Sequence, residues 1–345
     1  MARSNDRAPT LATVADEAGV SRQTVSNALN SPHLLRPDTL ERVQQAIANL
    51  GYSPNRAARN LRTRSSHLIG LRIDPAAETT ANALMDRFLH SLVESTGDVG
   101  YHVLLFSSDA DDGPIGGYDD LLRSTAVDAF VVTDTYRGNP QVGWLKKRGA
   151  PFVAFGRPWN EPDATHPWVD VDGRAGTGLA VRHLVELGHS RIAWIGWHKE
   201  LFIGEDRRTG WADAMRANDL PTSRLSARGE DTVGSGRRAA LALLEQEQPT
   251  AFVCVSDTMA MGALHALAES GLRPGVDVAV TGFDDSIAAA VTPPGLTSVR
   301  QPLEEVAVQI VAALGVLLSH KPIDEVGCIL EPTLTVRAST DATKG

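Results

Sequence analysis

Apolar and polar positions follow different rhythms in the two parts of this chain. In TLATVADEAGVSRQTVSNALN, Thr10 to Asn30, apolar residues recur at helical spacing, first as Leu11, Val14, Ala15 and Ala18, then as Val25, Ala28 and Leu29. Gly19 and Ser21 separate the two runs. Glycine takes the left-handed angles of a helix exit at low cost, and Ser21, like Thr10 ahead of the first run, carries a capping oxygen for free helix amides. The pattern predicts two short helices joined by a tight turn, with Arg22, Gln23, Ser26 and Asn27 on the outer face of the second. Pro37 suits a helix start, and Leu40, Val43, Ala46, Ile47 and Leu50 form the stripe of a third helix that Gly51 ends. A three-helix core of about sixty residues is small but feasible.

From His67 the rhythm changes. The apolar runs LIGLRI, YHVLLFSS, AFVVTD and PFVAFG read as buried parallel strands with helical stretches between them. A second set, RIAWIGW, AFVCVSD and VAVTGFDD, alternates with helices in the same way, followed by a late helix at Val306–Leu318 and a final strand in ILEPTLTVR. Two such sets predict two doubly wound α/β lobes, each a parallel sheet covered by helices on both faces. Between head and body lies YSPNRAARNLRTRSSH, with too little apolar surface to fold alone. It reads either as a basic flexible linker or as a short helix that orders only on DNA.

Charge sharpens this division. The net charge of −9 argues against nucleic acid, but residues 1–66 hold nine basic against five acidic side chains, +4, and the remaining 24 basic and 37 acidic give −13. A basic head on an acidic body is the footprint of a segment that touches phosphates. Two cysteines, Cys254 and Cys328, are too few for a disulfide framework, no apolar run is of membrane-spanning length, and MARSNDRAPT has no apolar signal core. A cytoplasmic, nucleoid-associated protein is expected, with no membrane partner.

The head has the layout of a helix-turn-helix, although a helical hairpin from any all-α domain would look similar. As base readers, Arg22 suits guanine and Gln23 or Asn27 suits adenine, with Ser26 one turn on; Thr10, Ser21 and Thr24 are better placed for phosphates. In the body, ligands are expected beyond the carboxyl ends of the strands, which selects Asp74, Thr133, Arg157, Trp197, Ser256 and Asp284. Loop tryptophans Trp159 and Trp197 could stack on a pyranose face, or simply pack. Enzyme readings fare badly. DGRAGTG lacks the spacing and the Lys of a phosphate loop, no G-x-S-x-G elbow exists, and His183 and His189 miss the i, i+4 spacing of helix metal ligands. Neither catalysis nor a cofactor is expected.

These residues resemble the LacI/GalR family of bacterial transcription regulators. The resemblance runs from the helix-turn-helix through TLERV and LGYSPNRAARNLRTRSSHLIGL to HLVELGHSRIAWIG, DRRTGW, VSDTMAMGALHALAESGLRPGVDVAVTGFDDS and LTSVRQP. It implies a headpiece (1–54) and a hinge helix (55–66) that uses Asn55, Arg56, Ala58, Arg59 and Leu61 in the minor groove. It implies a periplasmic-binding-protein-like body as well, with lobes at 67–168 plus 300–328 and at 169–299 plus 329–340, before a tail at 341–345. It further implies a homodimer on a near-palindromic operator, with a sugar effector held by residues that include Arg207, Asp231 and Asp284. The expected activity is repression of sugar-utilisation genes, relieved by a glucose-type sugar. A ligand-tightened regulator and a sugar-binding transport protein are the alternatives. The chain departs from the family at Asn27, often Arg, at Ser256, usually Asn, and at Gly156–Arg157, usually an acid. The polar DPAAETTANAL also replaces an apolar loop.

Overall fold

The computed structural model describes residues 9–52, 65–73, 81–107, 113–133, 136, 138–199, 201–322 and 326–341. It forms two units, Met1–Ser66 and His67–Gly345.

In the first unit, α1 (Leu11–Ala18) is capped reciprocally by Thr10 and Thr13. Gly19 leaves the helix at φ 63°, a left-handed position where a side chain would be strained. Helix α2 (Arg22–Asn30) follows, then a 3₁₀ turn at Pro32–Leu34 and α3 (Pro37–Leu50), which opens on its proline and ends at Gly51. Val14, Ala15, Ala18, Val25, Val43, Ala46 and Tyr52 form the core. Leu11, expected on the buried face, is exposed at the first position of α1.

In the second unit, one sheet contains β1 (Leu68–Arg72), β2 (His102–Phe106), β3 (Ala129–Val132), β4 (Phe152–Phe155), β5 (Trp168–Val171) and β11 (Gly327–Leu330), in the order β2-β1-β3-β4-β5-β11. All its pairs are parallel. The other sheet repeats that order as β7-β6-β8-β9-β10-β12, from β6 (Ile192–Trp197), β7 (Ser226–Gly229), β8 (Ala251–Cys254), β9 (Ala279–Phe283), β10 (Thr297–Arg300) and β12 (Thr333–Thr335). Here β12 runs antiparallel to β10, so this sheet is not wholly parallel as expected.

Helices α4 (Ala81–Asp98), α5 (Gly116–Arg123), α6 (Pro140–Arg148) and α12 (Leu303–Leu318) serve the first sheet. Helices α7 (Gly173–Glu186), α8 (Phe202–Ala217), α9 (Val233–Glu247), α10 (Asp257–Glu269) and α11 (Ile287–Val291) serve the second. Alternation within β3 makes the layering visible. Phe130 and Val132 join a core with Tyr118, Leu145 and Phe152, whereas Ala129 and Val131 join another with Phe88, Val153 and Ile310.

The chain crosses between lobes three times: after β5, after β10 and between β11 and β12. Two expectations therefore change. Residues 169–171 and 329–330 belong to the first lobe, because Val169 and Val171 pair with Cys328 and Leu330. The run ILEPTLTVR is not one strand, since Pro332 sits at the crossover and its two halves join different sheets.

Candidate functional site

In the head, local capping fixes the outer face of α2. Ser21 Oγ accepts from Thr24 N at 3.1 Å and lies 2.9 Å from Thr24 Oγ1. The hydroxyls expected to meet phosphates are thus first of all groups that fix the helix starts, Thr10 for α1 and Ser21 with Thr24 for α2. Arg22 and Gln23 are exposed, and Ser26 and Asn27 half-buried. Gln23 Nε2 donates to Asn27 Oδ1 at 3.0 Å, which joins two of the expected readers into one amide surface. The hinge residues Asn55, Arg56, Ala58, Arg59 and Leu61 lie outside the described residues, as does Asp74.

In the body a cleft opens at the carboxyl ends of the strands, where the order reverses in each sheet, β1 against β3 and β6 against β8. It is lined from the first lobe by Met85, Thr133, Phe155, Trp159 and Asp170, and from the second by Ile203, Asp206, Arg207 and Phe283, with Gln301 at a crossover. Its empty space is about 670 Å³, the open mouth included. The Trp159 and Phe202 rings lie near-parallel at 6.4 Å, one from each lobe.

Arg207 is the buried centre of the cleft. Its guanidinium donates to Val255 O at 2.7 Å, just past the end of β8, lies 3.6 Å from the Phe283 ring centroid and faces Asp284 Oδ1 at 3.8 Å. Its Nε has no protein acceptor among the described residues. Trp159 Nε1 is likewise buried and unpaired among them. Buried donors without acceptors are rare in folded proteins, and Trp197 Nε1 is a third in this region. The motif DRRTGW now has a physical reading. Asp206 and Arg207 line the cleft, and Trp211 anchors α8 by donating to Ile192 O at 3.2 Å. Gly210 lets α8 close on α7, where a Cβ would come within 2.1 Å of Arg174 O.

Two carboxylates here lie above their usual range. Burial pushes Asp284 up to about 7, Asp257 and Asp231 add to the shift, and Arg207 and the Gln301 hydrogen bond at 2.7 Å oppose it. Asp284 also sits at φ 108°, a strained backbone for a residue with a side chain. Asp206 is raised as well, by burial and by nearby Asp172 and Asp170, against the pull of Arg157. Arg157 bonds Asp170 through Nε and donates to Val171 O at 3.2 Å, while its guanidinium lies 4.8 Å from the Trp159 ring centroid.

Thr133, Trp159 and Arg207 come together on the cleft wall, with Arg157 behind Trp159 and Asp284 behind Arg207. Five of the expected residues do not line it, Arg157 and Asp284 among them. Ser256, fully buried, caps α10 by accepting from Met259 N at 3.3 Å, and donates to Asp231 at 2.5 Å, so these two satisfy each other. The Trp197 ring is turned onto Gly204 and lies 5.4 Å from the Arg207 guanidinium carbon. Asp206, Asp170 and Gln301 were missed. Asp206 adjoins Arg207 within the quoted motif, and Gln301 follows β10 at a crossover, the two signals that could have found them.

Similarity to known proteins agrees with both halves of this geometry. Residues 10–55 match the model of bacterial regulatory proteins of the lacI family, and residues 181–340 that of a periplasmic binding protein-like domain. The chain is 34% identical to the HTH-type transcriptional regulator CelR of Thermobifida fusca, covering 96% of this chain and 98% of that one. It is 32% identical to GalR of Salmonella typhimurium over 96% and 95%. Among solved structures, a CelR–cellobiose complex has a TM-score of 0.72 at 31% identity over 96% of this chain and 99% of that one. A LacI-family regulatory protein from Chloroflexus aggregans reaches 0.75 at 39% identity over 79% and 98%. With a helix-turn-helix ahead of two crossover-linked lobes, and named regulators matched along nearly its whole length, the chain belongs to the LacI family and is a DNA-binding transcriptional regulator.

Proposed function

We propose that the protein is a homodimeric repressor of sugar-utilisation genes, released from a near-palindromic operator when a glucose-type sugar binds between its lobes. The observation that carries this reading is the cleft wall itself. Arg207 and Trp159 keep buried donors free while Asp206 and Asp284 supply acceptors nearby, which suits adjacent hydroxyls that both donate and accept. Trp159 and Phe202 add flat apolar faces for a pyranose. Relatedness to CelR, known in complex with cellobiose, supports a β-linked glucose disaccharide as the first sugar to try.

In this reading the two heads of a dimer hold adjacent half-sites, and sugar binding changes the angle between lobes so that segment 55–66 lets go of the central minor groove. The sugar must bind the released state far more tightly, since moving the population from 1:99 to 99:1 takes roughly 10⁴-fold discrimination. An operator mobility-shift assay with cellobiose, glucose and galactose tests this. Release by at least one sugar is expected; tighter binding would reverse the sign to a co-repressed regulator, and no response to any would remove the sugar.

Base and phosphate contacts by the head, minor-groove binding by the hinge segment and a cytoplasmic location are parts of the same proposal. A transport role is set aside, because family membership makes this chain a DNA-binding regulator.

A further inference from the structure

A second cavity lies on the first lobe, between the start of α6 and the loop joining β4 to β5. It is lined by Tyr136, Gly138, Gly143, Lys146, Glu161 and His166, among others, and encloses about 670 Å³ of empty space including its mouth, as much as the cleft. His166 is 5% exposed, its ring stacks on Phe152 at 5.3 Å, and its Nδ1 has no hydrogen-bond partner among the described residues. An imidazole nitrogen this deep goes unpaired at a cost unless something from outside the chain fills the gap.

We propose that this cavity is a second binding site, for a neutral polyhydroxylated ligand such as a monosaccharide. The lining carries one charge of each sign, Lys146 and Glu161, and so favours neither an anion nor a cation. The amides at the start of α6 are already taken, because Asn139 Oδ1 accepts from Gln141 N at 2.9 Å and Val142 N at 3.1 Å. An anion finds no free helix terminus there and meets Glu161, whose Oε1 accepts from Gly138 N at 3.2 Å. A cation meets Lys146. A hydroxyl serves every group, accepting from Lys146 and donating to Glu161, and it pairs with His166 in either neutral tautomer. Burial and then Lys146 lower the His166 pKa, with Glu161 opposing, so the ring is neutral at physiological pH. The loop from Pro158 to His166 also adjoins Trp159 of the cleft, so the two cavities share a segment of chain.

The proposal holds whatever the cleft binds. Its test uses the full chain and D-glucose, followed by calorimetry and by the ring ¹⁵N resonances of His166. Gly143 is among the lining residues and a Cβ there meets nothing within 4 Å, so Gly143→Leu adds bulk at the cavity wall without a clash, while Gly143→Ala adds only a methyl. The expected result is glucose binding that shifts the His166 resonances in wild type, Gly143→Ala and Asp284→Asn, and that weakens at least about tenfold in Gly143→Leu. Unmoved His166 resonances, or wild-type binding by Gly143→Leu, would overturn the proposal. Binding lost only in Asp284→Asn would also overturn it, by assigning the glucose to the cleft.

Discussion

Arg157 and Asp206 approach to 4.0 Å across the line between the lobes, the arginine in the loop after β4 and the carboxylate on α8. Arg157 is held on its own side by Asp170 and lies over the Trp159 ring, so one guanidinium ties a lobe contact to an aromatic wall of the cleft.

Arg157→Ala should weaken sugar binding about five- to thirtyfold. The cation–π contact is worth roughly 0.5–2 kcal/mol, and the loss also leaves Asp170 and Asp206 uncompensated near the ligand. Titration calorimetry with cellobiose measures this, with sugar-free operator affinity as the control. An unchanged sugar affinity would mean that Arg157 neither orients Trp159 nor touches the ligand's surroundings.

Asp284 links the cleft to pH. Its folded pKa near 7 lies above the ordinary carboxylate value, so the stability it contributes is complete below pH ~4 and is lost as pH rises through 7. Asp284→Asn removes that loss. Melting temperatures should show the variant gaining on wild type from pH 5 to pH 8, by roughly 2–4 °C for each kcal/mol. A constant difference across that range would place the Asp284 pKa elsewhere.

Elements whose cause is local were legible in the sequence. Gly19 and Ser21 set the turn between α1 and α2 by their own backbone and side chain, and apolar runs such as AFVCV announce central strands. Strand β5 was missed because Asp170 interrupts WVDV, and its polarity makes sense only beside Arg157, in the loop after the neighbouring strand β4. Strand β10 was missed because Thr297 and Ser298 are buried polar residues, satisfied by Arg337, Thr340 and Asp257. Ser256 was read as a ligand contact from its place after a strand, when its hydroxyl is used up by a helix start and Asp231. The cleft's position was foreseeable from strand order; which side chains are paired around it depends on contacts between distant residues, such as Arg207 with Val255 and Ser256 with Asp231.

The tryptophans offer a contrast between binding and packing. Trp194 and Trp211 are buried against each other at 6.3 Å in the second lobe's core, so Trp194→Ala should cost about 3–5 kcal/mol of stability. Trp159→Ala, on the cleft wall, should leave the melting temperature nearly unchanged yet weaken cellobiose binding on the order of tenfold. Thermal melts paired with calorimetry separate the two outcomes. A Trp159→Ala protein that melts much earlier but binds normally would return that ring to a packing role.

On the head, base reading and phosphate anchoring should part in their response to salt. Arg22 is exposed at the first position of α2, so Arg22→Ala should cost about 1–3 kcal/mol on the operator and little on a scrambled duplex. Ser21→Ala removes the cap of α2, destabilises the head by ~0.5–2 kcal/mol, and should weaken both duplexes alike. Fluorescence anisotropy at several salt concentrations distinguishes the roles, because each lost phosphate contact lowers the slope of log K against log salt by about 0.9. If Arg22→Ala reduces that slope by one contact and weakens operator and scrambled DNA equally, Arg22 grips the backbone, and the reading of sequence falls to the paired amides of Gln23 and Asn27.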